Sequence, residues 1–281
     1  MPESTLVKQH YTHGSLVDAI TQGIQALGKT LETVEIDDLG PVDEFHIGGR
    51  VATESFLDQL EIEPSHHVLD VGCGLGGASR FAASRYGCQV TGVDLTQEYV
   101  DTGNIICGWL GLDERVNLES EDATQLPQPD ETFERAYMLH VGMNIAEKQS
   151  LANELFRVIR CGGRLGIYDV MRVGDGELTF PVPWASESQG SSIDPLTVYK
   201  SALKTAGFNI LAERNRREFA LEFFAQLKSK AATADGPPPL GLHILMGSTA
   251  TTKIGNMIEN ISRNIVAPVE LVAEKPVQKS S

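Results

Sequence analysis

From residue 66 onward, apolar runs bounded by glycine and polar residues alternate with amphipathic stretches. HVLDVG, QVTGVDL, VNLESED, FERAYMLH and RLGIYDVM read as five strands. Between them GASRFAASRYG, TQEYVDTGNIICGWLGL and EKQSLANELFRVIR carry apolar positions at helical spacing, the last closed by CGG. Strands alternating with helices in this way predict parallel βαβ units, and so an α/β, doubly wound sheet.

The flanking regions follow a different rhythm. SLVDAITQGIQALG and VATESFLDQL read as two helices, joined by LETVEIDDLG and PVDEFHIGGR. After the fifth strand comes a long loop, residues 174–194, then the helix PLTVYKSALKTAGF, the strand FNILAERNRR and the amphipathic helix over 218–232. GPPPLGLHILMG reads as a turn and a short helix, residues 253–264 as a helix, and VAPVELVAEK as a closing strand, the seventh. Long structureless loops in compact domains are more often lids or binding loops than filler. The expected organisation is therefore an N-terminal helical cap segment over residues 1–62 and a main domain over 63–281, with cap insertions between about 171 and 265.

Charge and cysteine usage narrow the partners. Of the 281 residues, 23 are Lys or Arg and 38 are Asp or Glu, a net charge of −15, which argues against a general nucleic-acid binder. The polar start MPESTLVKQHYTHGSL has no apolar core of a signal peptide, and no run is long enough for a membrane span. Cysteines 73, 88, 107 and 161 show no CxxC pairing, so a reducing, cytoplasmic setting without disulfides is expected. There is no HExxH or other ligand-spaced cluster, so no metal is expected. A homodimer stays open.

The candidate chemistry sits in VLDVGCGLGG. Gly72, Gly74 and Gly77 spell the dinucleotide fingerprint GxGxxG, which calls for a pyrophosphate. Gly72, Gly74 and Gly76 equally spell GxGxG, with Asp70 two residues before it, and an acid there suits a ligand carrying positive charge. In doubly wound sheets ligands bind outside the carboxyl ends of the strands. Asp70, Asp94, Asp122 and His140 each fall near the end of one of four successive strands. A carboxylate at Asp94 accepts two ribose hydroxyls, which NAD and S-adenosylmethionine both offer. Asp70 discriminates: it would repel a pyrophosphate and attract an ammonium and a sulfonium. Asp122 followed by Ala123 could accept from an adenine amino group and leave room for the ring; the bland alternative for Asp122 is a turn residue.

VLDVGCGLGG, VTGVDL, EDATQLP and LFRVIRCGGRLGIYD, in this order, resemble the class I S-adenosylmethionine-dependent methyltransferases over roughly residues 45–170. Cys161 departs from the proline usual before the Gly-Gly. YTHGSL, PVDEFHIGGRVAT, HVGMNI, PVPWA and GPPPLGLHILMG resemble the small-molecule subgroup that includes sarcosine/dimethylglycine N-methyltransferases. The resemblance implies a Rossmann-like, mostly parallel seven-stranded sheet with a helical cap. It implies S-adenosylmethionine as cofactor, S-adenosylhomocysteine as product, and a small-molecule acceptor such as an amine of the glycine-derivative kind. C- or O-methylation of a prenyl, quinol or other secondary metabolite is the alternative, and a nicotinamide-dependent oxidoreductase the distant one.

Carried over residue by residue, Gly72, Cys73 and Gly74 approach the methionine part and Asp70 holds its ammonium. Asp94 holds the ribose, while Leu95, Asp122 and Ala123 flank the adenine. Leu139 and His140 line the cofactor where the methyl leaves, and Tyr11 lies over it. His140 and His46 are the candidate bases, with a structural histidine the equal alternative for His140. Phe45, His46, Trp184 and His243 are the candidate walls of the acceptor pocket; Trp184 reads either as that wall or as a plug of the cap.

Overall fold

A computed structural model describes residues 15–233, 236 and 238–277. Seven strands form one sheet in the order β3-β2-β1-β4-β5-β7-β6. These are β1 (His67–Val71), β2 (Gln89–Asp94), β3 (Val116–Ser120), β4 (Phe133–Leu139), β5 (Ile159–Arg172), β6 (Asn209–Asn215) and β7 (Val266–Glu274). β1 to β5 pair in parallel, whereas β7 runs antiparallel to both β5 and β6. The expected mostly parallel, seven-stranded, helix-flanked sheet is the observed one.

The core explains the sequence rhythm. Leu69, Val71, Ala136 and Met138 on β1 and β4 pack with Leu151, Leu155 and Val158 of the helix Lys148–Val158. On the opposite face Val68, Val90, Tyr137 and Tyr168 meet Ala82 and Ala83 of α4 (Gly77–Tyr86) and Phe56 of α3 (Gly49–Leu57). Strands buried on both faces read as continuous apolar runs, which is why they stood out.

Three boundaries differ from expectation. The acidic connector contains a helix, α2 (Ile36–Asp43), opened by a capping box in which the Glu35 N–H donates to Asp38 Oδ2 at 2.8 Å. Proline at position 41 and two adjacent acids masked its weak apolar stripe. The helix before CGG stops at Val158, and β5 already begins at Ile159, where Ile159 pairs with Phe133 of β4. The Gly-Gly lies inside this strand because Gly162 N–H donates to Lys275 O at 2.8 Å and Lys275 N–H to Gly163 O at 2.9 Å, pairing that local spacing cannot reveal.

α1 (Leu16–Ala26) and α2 lie against the carboxyl-end side of the sheet, where Leu16, Ile20, Leu39 and Val42 pack on Leu75, Tyr99 and Ile106. Leu240 and Leu245, beside and within the short helix His243–Met246, complete that cluster. A second apolar cluster joins Ile47 to Val182, Trp184, Phe224, Met257 and Ile261. No helix among the described residues is long and apolar enough to cross a membrane.

Candidate active site

A cavity of about 340 Å³ opens at the carboxyl ends of β1, β2, β3 and β4. Its floor is the turn after β1. Gly72 has φ +70° and a Cβ there would lie 2.3 Å from Val141, so only glycine fits. Gly74 has φ +55° and nothing closer than Tyr99 at 3.9 Å to a Cβ, so its backbone faces open space.

Asp94, at the end of β2, is fixed by backbone. Gly74 N–H donates to its Oδ2 at 2.9 Å and Thr96 N–H to its Oδ1 at 2.8 Å. The Thr96 hydroxyl also bonds this carboxylate, and Asp94 lines the cavity beside Leu95. Burial raises its pKa, while the N–H groups of Thr96 and Gly74 favour the charged form. Asp70 lies deeper: Ser79 Oγ donates to its Oδ2 at 2.6 Å and the Tyr137 hydroxyl to the same atom at 3.1 Å. Burial pushes Asp70 up to about 7. Cys73 lines the same floor with its thiol pushed well up by burial, so it stays protonated.

Beyond β3, Asp122 and Ala123 both line the cavity. Asp122 Oδ1 accepts the Thr124 N–H at 2.8 Å and the Thr124 hydroxyl at 2.7 Å. The turn role and the place on the rim therefore coexist in one residue. After β4 the wall is built by Leu139, Val141 and residues 144–147.

The lid comes from the end of α2 and the segment after it. Asp43, Glu44, Phe45 and His46 all line the cavity. Asp43 accepts from Arg80 of α4 at 2.7 Å, with both side chains fully buried. Glu44 accepts from Arg50 Nε at 2.5 Å and from the Thr53 hydroxyl at 2.6 Å. Thr53 Oγ1 also lies 2.9 Å from His46 Nε2. The Gly49 backbone also hydrogen-bonds the ring. Burial lowers the His46 pKa, so the ring is neutral near pH 7.

His140 belongs to this region in a different way. It has φ +58°, uncommon for a residue with a side chain. Its backbone N–H donates to Tyr168 O at 2.7 Å, its Nδ1 lies 3.2 Å from the same oxygen, and Ile47 N–H meets its Nε2 at 3.5 Å. Burial drives its pKa well below the ordinary value. The ring is a neutral strut between β5 and the lid, while its neighbours Leu139 and Val141 face the cavity.

Two wall expectations are corrected. Trp184 does not line the cavity; it is buried among Met143, Val182 and Phe224, and its Nε1–H donates to Ser191 at 2.9 Å. The apolar cap offers this indole both burial and a hydrogen-bond partner. His243 is exposed at the start of its short helix, and Leu245, one half-turn on, faces the cavity instead. Tyr11 lies outside the described residues. Asp43, Glu44, Arg80 and Thr53 escaped sequence reading because pairing of the end of α2 with α3 and α4 is a tertiary event. The clustered acids in VDEFHIGGR were the available signal.

Residues 68–163 match the family described as methyltransferase domain. Methyltransferase GfsG of Streptomyces halstedii is 28% identical over 177 residues, 62% of this chain and 64% of that protein, so the chain spans under two thirds of this relative. The [4+2]-cyclase SpnF superposes with a TM-score of 0.68 at 23% identity, over 98% of each chain. A putative sarcosine dimethylglycine methyltransferase from Galdieria sulphuraria superposes with a TM-score of 0.65 at 16% identity, over 82% of this chain and 86% of that one. These two likenesses show a shared fold.

The donor set fits S-adenosylmethionine: a backbone-oriented carboxylate at Asp94, a buried carboxyl at Asp70 that an ammonium would ionise, and a glycine turn with room above it. Fold and site thus resemble those of the class I S-adenosylmethionine-dependent methyltransferases. Residues 68–163 of this chain carry a methyltransferase domain.

Proposed function

We propose that this protein transfers a methyl group from S-adenosylmethionine to a small-molecule acceptor held between the lid and the wall after β4. The observation that carries this reading is the meeting of Asp70, Asp94 and Asp122 with Glu44, Phe45 and His46 on one cavity.

The cofactor supplies an electrophilic methyl on a positively charged sulfur, so the chain needs to do little covalent chemistry. Asp94 accepts from ribose hydroxyls, and Asp70 faces the ammonium. Leu95 and Ala123 give the adenine apolar walls, and Asp122 accepts from its amino edge. Phe45 and His46 close the acceptor side, and the apolar surface of Val42, Val141 and Leu245 excludes water. Alignment of acceptor and methyl at roughly 3–3.5 Å in a dry site supplies most of the acceleration. Neutral His46 is the group available to take a proton from an amine or hydroxyl acceptor. His140 positions the lid, since both its ring nitrogens face backbone groups.

Calorimetry tests the cofactor half of this reading, with S-adenosylhomocysteine expected to bind in the micromolar range and NADH not at all. Tight NADH binding without S-adenosylhomocysteine binding would overturn it. Methyl transfer from labelled S-adenosylmethionine to a panel of amine, hydroxyl and prenyl acceptors tests the rest.

A further inference from the structure

The charge of the cavity is one-sided, and this bears on which acceptor it takes; the argument rests on the methyl-transfer reading above. Among the described residues no Lys or Arg lines the cavity, and His46 is its single basic side chain. Carboxylates reach it from every side. Asp70 and Asp94 lie on the floor, Glu121 and Asp122 on one rim and Glu147 on another. Asp43 and Glu44 come from the lid.

The two guanidinium groups nearest the site are already neutralised. Arg80 is fully buried against Asp43 at 2.7 Å, and Arg50 lies against Glu44 at 2.5 Å with its guanidinium carbon 4.6 Å from the Phe81 ring centroid. Asp43 and Glu44 belong to the segment that lines the cavity, whereas neither arginine lines it. The Asp43 side chain has no exposure, so its charge is spent on Arg80. Among the carboxylates that line the cavity an ammonium or a hydroxyl brings a donor, whereas a phosphate or carboxylate brings further acceptors and a like charge.

We propose that the acceptor of this cavity carries no anionic group. It is an amine in its cationic form or an uncharged molecule, and the pairing of Glu44 with Arg50 is what denies an acidic acceptor a counter-charge. This separates the protein from enzymes whose acceptors present a phosphate or a carboxylate, including the glycine derivatives to which the sequence resemblance pointed.

The test uses the full chain saturated with S-adenosylhomocysteine and two matched pairs of probes. Phosphoethanolamine is compared with ethanolamine, and sarcosine with dimethylamine, by calorimetry and by methyl transfer from S-adenosylmethionine. The anionic member of each pair is expected not to bind, or to bind at least about tenfold more weakly than its partner. Tighter binding or faster methylation of phosphoethanolamine or sarcosine overturns the proposal. Glu44→Gln keeps the side-chain shape and frees Arg50, so it is expected to raise phosphoethanolamine affinity at least about tenfold. No gain in a variant that still binds S-adenosylhomocysteine also overturns it. Should Glu44→Gln lose the folded site, Asn144→Lys on the facing wall takes its place with the same expected gain. A wild-type protein that binds no S-adenosylhomocysteine defeats the methyl-transfer reading instead, so the two failures are distinguishable.

Discussion

Arg80 Nη2 donates to Asp43 Oδ1 at 2.7 Å, and neither side chain has any exposure. The pair joins the end of α2, which forms the lid, to α4, which carries the glycine turn on its amino end. Arg80 also donates to Leu75 O at 2.6 Å and to Gly103 O at 3.3 Å. A Cβ on Gly77 would lie 2.4 Å from the Asp43 Cβ, so lid and floor are in direct contact. Removing one partner leaves a buried charge uncompensated, a cost of about 3–5 kcal/mol. Asp43→Ala is therefore expected to lower unfolding stability by about that amount and to weaken S-adenosylhomocysteine binding by loosening the lid. Urea denaturation of Asp43→Ala, Arg80→Met and the double variant checks this, with the double variant expected to lose less than the two singles combined.

Asp94 is oriented by two backbone N–H groups toward the cavity. Asp94→Ala is expected to weaken S-adenosylhomocysteine binding by about 1.5–3 kcal/mol, the range for hydrogen bonds to a charged group. Calorimetry on the folded variant is the measurement, and an unchanged affinity would remove Asp94 from the ribose contact.

Burial raises Asp70 from 3.8 to about 7, and raises Asp169 to about 7 as well. The folded chain then holds protons that the unfolded chain has lost between these two values. The contribution of both groups to stability is full below the unfolded value and falls as pH rises toward 7. An ammonium brought to Asp70 favours its charged form. S-adenosylhomocysteine binding is thus expected to release a proton below about pH 7 and to strengthen with pH by up to about tenfold per unit there. Calorimetry in two buffers of different ionisation heat reads the proton directly. Asp70→Asn should release none, and a pH-independent wild-type affinity would separate Asp70 from the ammonium.

Trp184 packs the cap and donates to Ser191. Trp184→Ala is expected to cost about 3–5 kcal/mol of stability, as for a large core side chain, while cofactor affinity in the folded fraction stays unchanged. Trp184→Phe keeps most of the packing and loses the hydrogen bond, about 1 kcal/mol. Chemical denaturation with parallel calorimetry separates stability from binding; a large loss of cofactor affinity in folded Trp184→Phe would return Trp184 to the cavity wall.

The central sheet was legible in the sequence because its order is set by local signals. Strands such as HVLDV and QVTGVD are short and buried along most of their length, and each carries an aspartate at or next to its carboxyl end that the parallel arrangement gathers at one edge. Asp70, Asp94 and Asp122 could be placed at one crevice for that reason alone: in a doubly wound sheet the carboxyl ends of the strands share a side. The three glycines after β1 carried their own meaning, since a positive φ is a property of single residues.

What tertiary structure alone decided lies in contacts between distant segments. Nothing near Asp43 in the chain indicates Arg80, because a buried ion pair 37 residues apart exists only once α2 folds over α4. The residue types of Trp184, in a loop, and His243, at a turn into a short helix, do not fix direction: the indole packs in the cap core, and Leu245 rather than His243 lines the cavity. The strand brings His140 to the carboxyl end of β4, yet its ring turns to Tyr168 and Ile47, whose positions depend on β5 and the lid together. Periodicity and turn chemistry act over a few residues and so determine the scaffold, whereas the charge and shape of the pocket arise from packing between segments far apart in the chain.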